Sequence, residues 1–354
     1  MANKHANLDS LFNDIADAIR EKIGDESIIP AVDFPDAIRD RLQVKSYLTF
    51  KSPSSFTLKV NDTTKHWNGT LEYSTDTSTW TTWNGTSTLS AVDNGAEYVL
   101  YLRGTGNNVI CGDRYTYRWV LTGTGISCIG NIENLLDYAT VTAGNHPTMA
   151  DYCYNYMFYG CTSLTQAPAL PATTLADYCY SQMFSGTAIT QAPALPVTTL
   201  AEGCYKGMFW GCKLLTQAPA LPATTLTTYC YSFMFRGCTA LTQAPALPAT
   251  TLADKCYMGM FEGGCTSLTQ APALPATTLA SGCYDGMFYG CTGLKISTTY
   301  TGEYTQEYRI PTSGTGTTAT DALTDMFTNT GGTFTGTPEI NTTYYLSNTN
   351  TVVS

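Results

Sequence analysis

The thirteen cysteines are the residues with the clearest chemical potential, because cysteine thiolates bind zinc and cysteine pairs form disulfides. Within the repeats they occur eight residues apart, as in Cys204 and Cys212, with no Cys-x-x-Cys pair and no nearby histidine. This spacing argues against a zinc site. Thr187 replaces one cysteine without disturbing the repeat, which favours thiols packed as small apolar groups. Disulfides between neighbouring units are the alternative.

Groups suited to catalysis are scarce. The histidines are His5, His66 and His146, and none accompanies a recognisable nucleophile. No two carboxylates have a spacing that suggests acid and base catalysis, and no glycine-rich segment has the pattern of a phosphate-binding loop. The sequence therefore predicts a protein that is not an enzyme and that holds no cofactor or metal.

Charge and hydropathy argue against two further classes of protein, nucleic-acid-binding and membrane-spanning proteins. The net charge is -10 and Lys and Arg are nowhere clustered, so binding to nucleic acid is not expected. No apolar stretch reaches 18 residues, so no membrane span is expected either. Residues 1–30 contain no secretory signal pattern. We expect the protein to leave the cell inside an assembled particle, although removal of an upstream signal would leave the same sequence.

A 26-residue repeat organises the middle of the chain. The string Leu-Thr-Gln-Ala-Pro-Ala-Leu-Pro and a Met-Phe pair recur together, and the pairs lie 25 to 27 residues apart. They begin at Met157, Met183, Met208, Met234, Met260 and Met287. This period is typical of leucine-rich repeats and predicts a repeat solenoid over residues 148–294.

Each unit also has the marks of an amphipathic helix. Leu175, Cys179 and Met183 are spaced by four residues, Thr174 is a candidate N-cap and Gly186 a candidate C-terminal stop. The pattern predicts a three-turn helix, followed by an extended segment that the prolines end.

The flanking segments complete a multidomain α+β prediction. Residues 1–45 are predicted to form a helical docking or oligomerisation module, or else a cap on the next domain. Alternating strands with Asn-Gly turns over 46–127 predict a small antiparallel β-sandwich of Ig-like type. Residues 128–147 lead into a leucine-rich-repeat-like solenoid, and 295–354 form a β-rich cap with a degenerate last repeat. The apolar stripe of the first module comprises Leu8, Leu11, Phe12, Ile15 and Ile19.

Tryptophans in the 46–127 segment have two interpretations. Trp67, Trp80, Trp83 and Trp119 are either core residues or a platform on which sugars stack. The core interpretation is favoured, because alternation in strands usually points aromatic side chains inward.

The candidate binding residues occupy positions that vary between units. These are the residue after each Met-Phe pair and the two residues before it. Helical spacing would place the residue after the pair and the residue directly before it on one outward strip. Trp, Tyr and Arg at such positions are typical of binding hot spots, although exposed positions also drift without function. The candidates are Tyr156, Tyr159, Trp210, Phe233, Arg236 and Tyr289.

Two segments resemble known families. The string Phe158-Tyr159-Gly160-Cys161-Thr162-Ser163-Leu164 resembles the BspA-like bacterial surface leucine-rich repeats, whose units end in Phe-x-Gly-Cys-x-x-Leu. The resemblance covers residues 150–335. This sequence differs from the family pattern in its Cys-Tyr-x-x-Met-Phe and Pro-Ala-Leu-Pro segments. Residues 11–24 and 33–38 resemble a short module in virion and tail proteins of phages from gut bacteria. The resemblance implies adhesion or recognition.

These observations favour a non-enzymatic virion protein, a tail or head fibre or a decoration protein, that is exposed on the particle surface. Its expected partners are other virion proteins or copies of itself, in a homo-oligomer, and a host-surface glycan or protein. One alternative is a bacterial cell-surface leucine-rich-repeat adhesin. Another is a purely structural capsid decoration protein that binds nothing else.

Overall fold

The computed structural model describes residues 47–62 and 64–353. The predicted helical module and its stripe of Leu8, Leu11, Phe12, Ile15 and Ile19 lie outside the described residues, so the docking role stays a prediction.

The first part of the described chain forms two sheets. One has the strand order β10-β9-β1-β7-β3-β4, with β6 also paired to β7, and the other has the order β5-β2-β8. Their strands are β1 Leu48–Ser52, β2 Thr57–Val60, β3 Thr70–Ser74, β4 Thr81–Trp83, β5 Leu89–Ser90, β6 Val92–Asp93, β7 Tyr98–Thr105, β8 Trp119–Thr122, β9 Ile126–Ile129 and β10 Leu164–Gln166.

Aromatic side chains join these two sheets. Phe50 on β1 contacts Trp119 on β8, with ring centroids 6.4 Å apart, and Trp119 also contacts Trp83 at 5.6 Å. Trp67, Trp83 and Trp119 are all buried, which confirms the core interpretation for these three. Trp80 is only partly buried and lies beneath the Arg103 guanidinium, 4.1 Å from its ring centroid.

The last part of the chain forms two more sheets. One has the order β13-β15-β12-β14 and the other pairs β11 with β16 in parallel. Their strands are β11 Gln270–Pro272, β12 Lys295–Ser297, β13 Tyr304–Arg309, β14 Gly331–Gly332, β15 Thr343–Ser347 and β16 Thr351–Val353. Because β16 follows the degenerate last repeat, the chain returns to cover the edge of an earlier unit.

The predicted α+β fold class is wrong. The α-helix of the described residues is α1, Tyr138–Thr142, which is five residues long, and 3-10 turns occupy Tyr115–Tyr117 and Ile132–Leu135. Strands, bridges and turns make up the rest of the regular structure. The repeats do not form a leucine-rich-repeat-like solenoid, because they lack both its helices and its continuous parallel sheet. Where the repeats follow one another from Gln191 to Gln270, neighbouring extended segments pair through single bridges at Gln191, Gln217, Gln243 and Gln270.

Proline explains why the bridges stop at glutamine. The segment after each glutamine is Ala-Pro-Ala-Leu-Pro, and proline has no N–H to donate to a neighbouring strand. An open groove of about 440 Å³ lies over two of these segments and is lined by Gln217, Pro219, Pro222, Gln243, Pro245 and Pro248, among others. The lining contains no charged side chain.

The predicted three-turn helices are successive tight turns. We number the units 1 to 6 by their Met-Phe pairs, from Met157-Phe158 to Met287-Phe288. In unit 2, every fourth residue has a positive φ, namely Tyr178, Gln182 and Gly186. A right-handed α-helix requires negative φ throughout, so these residues cannot be helical. The N–H of Ser181 donates to the Tyr178 carbonyl three residues back, at 3.1 Å. The N–H groups of Tyr178 and Gln182 instead donate to the next unit, both at 2.8 Å.

This conformation sends residues inward and outward in pairs. The Cys-Tyr and Met-Phe pairs are buried, and the two residues between them range from buried, as at Ser181 and Ser232, to partly exposed, as at Lys206 and Phe233. Ring ladders result. The Phe rings stack from Phe158 to Phe327, and the Tyr rings from Tyr154 to Tyr284, at 5.6–6.0 Å between neighbouring centroids. Trp119 contacts Phe158 at 6.2 Å, so this core is continuous with that of the first sheets.

All thirteen cysteines are buried free thiols. The second cysteine of most units donates from Sγ to the Phe carbonyl of the preceding unit, as Cys238 does to Phe209 at 3.1 Å. Thr187, which stands at this position in unit 2, instead donates from its hydroxyl to the Phe184 carbonyl of its own unit at 2.8 Å. Burial raises the pKa of Cys179 and Cys230 to about 12. The thiols therefore remain protonated and act as small packing groups.

We expect a reducing agent to leave thermal stability unchanged. The thiols are unpaired, so reduction removes no covalent bond. Differential scanning calorimetry with and without a phosphine reductant should give melting temperatures within about 2 °C of each other. A fall of many degrees would contradict free thiols, because each disulfide typically contributes about 2–4 kcal/mol.

Candidate functional site

The partly exposed positions of units 2 to 5 carry a cluster of aromatic rings and cations, which we call the aromatic–cation face. Its members are Tyr178, Lys206, Trp210, Tyr229, Phe233, Arg236 and Lys255. All seven are partly exposed. Three of the six predicted binding residues, Trp210, Phe233 and Arg236, belong to it.

Trp210, Phe233 and Arg236 lie in direct contact. The Trp210 and Phe233 ring centroids are 6.2 Å apart, and the Arg236 guanidinium lies 4.5 Å from the first and 5.6 Å from the second. Arg236 also pairs with Glu262 of the next unit at 3.3 Å. Side chains from three successive units therefore build one small surface that combines ring faces, guanidinium donors and a carboxylate.

A second group of side chains extends this surface. Lys206 Nζ lies 4.9 Å from the Tyr229 ring and 6.0 Å from the Tyr178 ring. Lys255 Nζ donates to the Tyr229 hydroxyl at 3.2 Å. The Tyr178 hydroxyl donates to Glu202 at 2.8 Å, and its pKa is raised by burial and by this carboxylate.

Sequence reasoning missed this second group. The prediction used the residue after each Met-Phe pair and the two residues before it, whereas Tyr178, Tyr229 and Lys255 stand four residues before the residue that directly precedes the pair. The signal was available, since that position also varies between units and is either a large residue or glycine, as at Gly203 and Gly282.

Glycines form the floor of the aromatic–cation face. A Cβ atom added at Gly203 would lie 2.4 Å from the Tyr178 ring, and one added at Gly259 would lie 2.4 Å from the Phe233 ring. Each ring thus lies across the glycine of the next unit. Tyr178 and Phe233 themselves have positive φ, of 54° and 56°, which a bulky side chain rarely adopts.

The close contact between Tyr178 and Gly203 predicts that a side chain at Gly203 will destabilise the protein. Gly203→Ala should destabilise the protein by roughly 2–3 kcal/mol, because it adds a clash with Tyr178 to the cost of positive φ. Gly160→Ala is the matched control, since Gly160 has φ of 73° and no atom within 4 Å of its would-be Cβ. It should cost only about 1 kcal/mol. Equal losses in chemical denaturation would mean that Tyr178 does not lie over Gly203.

The other three predicted residues lie elsewhere along the units. In unit 1, Tyr156 and Tyr159 contact each other at 5.6 Å, and Arg118 lies 5.7 Å from the Tyr159 ring. Burial raises the pKa of Tyr156. Tyr289 of unit 6 is exposed and has no ring or cation contact within the described part of the chain. The six candidates thus fall into three groups along the units, and their arrangement in one binding strip stays a prediction.

In residues 47–62 and 64–353, no three His, Cys, Asp or Glu side chains are grouped so that they could hold a metal ion. Across the same residues, no helix has the length and apolar character needed to cross a membrane.

The aromatic–cation face offers flat ring faces for apolar C–H groups and charged side chains for hydroxyls or carboxylates. It has no arrangement of nucleophile, base and orienting group. The chain matches no known protein family, and comparisons with curated proteins and with solved structures find no similar protein either.

Proposed function

We propose that this protein is a non-enzymatic recognition protein whose aromatic–cation face binds a surface glycan. The observation that carries the proposal is the contact of Trp210, Phe233 and Arg236 over a glycine floor. Such partly exposed aromatic and Arg side chains are the types enriched at binding hot spots.

A glycan fits this chemistry better than a peptide or a nucleic acid. Ring faces pack against the C–H face of a pyranose, and the guanidinium, ammonium and carboxylate groups bond to its hydroxyls. The 440 Å³ groove, which could enclose a peptide side chain, is lined by none of the residues of this face. Acidic residues such as Glu202 and Glu262 lie among the cations, which disfavours a polyphosphate.

The biological setting is a virion, with attachment to other virion proteins or to copies of this chain through residues 1–45. This part of the proposal is supported by the sequence resemblances alone. Mass spectrometry of purified particles tests it, since a bacterial adhesin would be absent from them. A decoration protein would be present but would bind no host surface.

The binding proposal is tested on a glycan array with the full chain, labelled at a site distant from the repeats. We expect saturable binding to a restricted set of host-surface or mucus glycans. If no glycan binds while the protein adsorbs to host cells, the ligand is a surface protein and the proposed chemistry is wrong.

A further inference from the structure

A separate cavity lies beside α1, away from the aromatic–cation face. Its volume is about 190 Å³. Apolar side chains of Pro147, Met149 and Leu175 line it together with the hydroxyl-bearing Thr148, Thr173 and Thr174. Glu133 and His146 complete the lining.

Glu133 is the unusual member of this lining, because its side chain is fully buried. His146 Nδ1 donates to Glu133 Oε2 at 2.8 Å, and Asn131 Nδ2 donates to the same oxygen at 3.4 Å. Within the described residues, Glu133 Oε1 has no hydrogen-bond partner. A buried carboxylate oxygen without a partner is costly and is rare in folded proteins.

We propose that the Glu133 cavity binds a primary ammonium group on a short aliphatic stem. The carboxylate lacks a strong cation, because no Lys or Arg of the described residues is paired with it. An ammonium donates up to three hydrogen bonds, which suits Glu133 Oε1 and the threonine hydroxyls together. The apolar wall formed by Pro147, Met149 and Leu175 covers the stem.

The ammonium has two possible sources, a free amine or a lysine side chain of a partner protein. Isothermal titration with 1,5-diaminopentane represents the first, and titration with Nα-acetyl-lysine-N-methylamide represents the second. Binding of the diamine alone assigns a free amine, and binding of the lysine derivative assigns a lysine side chain. This inference does not depend on glycan recognition, and either can fail alone.

Two variants test the site. Glu133→Gln keeps the shape and removes the charge, so amine affinity should fall about ten- to hundredfold, as expected when a charge-assisted hydrogen bond is lost. Thr174→Phe fills the exposed rim and should abolish binding without touching Glu133. The matched control is Thr199→Phe, at the same position of the next unit, where a different cavity lies. It should bind as the unaltered chain does.

Three outcomes would overturn the proposal. The first is no saturable binding of either amine to the unaltered protein. The second is binding that survives Thr174→Phe. The third is equal loss of affinity in Thr174→Phe and Thr199→Phe, which would indicate a general effect on folding rather than a site at Glu133.

Discussion

Replacing Trp210, Phe233 and Arg236 together is expected to weaken glycan binding at least about a hundredfold, with folding intact. Trp and Arg are residue types whose truncation at a hot spot costs about 2 kcal/mol or more, so the loss of Trp210 and Arg236 alone accounts for this effect. The replacements are taken from other units at the same positions, namely Trp210→Ser, Phe233→Gly and Arg236→Ser. Phe233→Gly also relieves positive φ, so it should not lower stability through the backbone. Surface plasmon resonance on an immobilised glycan gives the affinities.

The control for this variant is Tyr289→Ala. Tyr289 is also an outward aromatic residue after a Met-Phe pair, but it lies outside the aromatic–cation face. Its replacement should change affinity less than about threefold. Unchanged glycan affinity in the triple variant, or an equal loss of affinity with Tyr289→Ala, would contradict glycan binding by the aromatic–cation face.

Phe235→Ala is expected to destabilise the protein by about 3–5 kcal/mol. Phe235 is fully buried in the middle of the Phe ladder and stacks on Phe209 and Phe261, each at 5.8 Å between centroids. Its removal leaves a cavity that neighbouring units cannot fill, because their backbones are held by hydrogen bonds from unit to unit. Urea denaturation followed by circular dichroism measures the loss.

Leu214→Ala is the control for the ladder. Leu214 stands in the same repeat region but is 53% exposed, so its truncation should cost less than about 0.5 kcal/mol. A cost below about 1 kcal/mol for Phe235→Ala would contradict a tightly packed ladder.

The repeat period and the identity of the core were predictable, but the local conformation was not. In a helix, residues i, i+1, i+4 and i+5 span about 140° of arc, so the buried Cys-Tyr and Met-Phe pairs fit a helical face. Turns that repeat every four residues bury the same pairs. Over nine residues the two periods cannot be separated by hydrophobic spacing.

Glycine spacing separates the two conformations. Unit 3 has Gly203, Gly207 and Gly211, and all three have positive φ. Three glycines in nine residues are unfavourable in a helix, whereas a left-handed residue at every fourth position requires glycine or tolerates strain. Reading that spacing would also have placed Tyr178 and Tyr229 on the outward side, beside Trp210 and Phe233.

Part of the candidate site could be predicted from the sequence, and the reason is physical. Helical geometry and four-residue turns agree on which positions face outward, so Trp210, Phe233 and Arg236 were found from either. The helix and the four-residue turns differ in how they place an aromatic ring against the next unit. The contact of Phe233 with Gly259 depends on positive φ and could not be derived from the sequence pattern.

The most direct test of glycan binding by the aromatic–cation face is to titrate the protein with a glycan that binds on the array. The indole N–H signals of the five tryptophans are followed in a ¹H–¹⁵N NMR spectrum. Trp67, Trp83 and Trp119 are buried, while Trp210 and Trp80 are the partly exposed ones. We predict that the Trp210 signal shifts on saturation and that the Trp80 signal stays in place. A shift of Trp80 without one of Trp210 would move recognition to the first sheets, and shifts of neither would contradict the aromatic–cation face as the binding site.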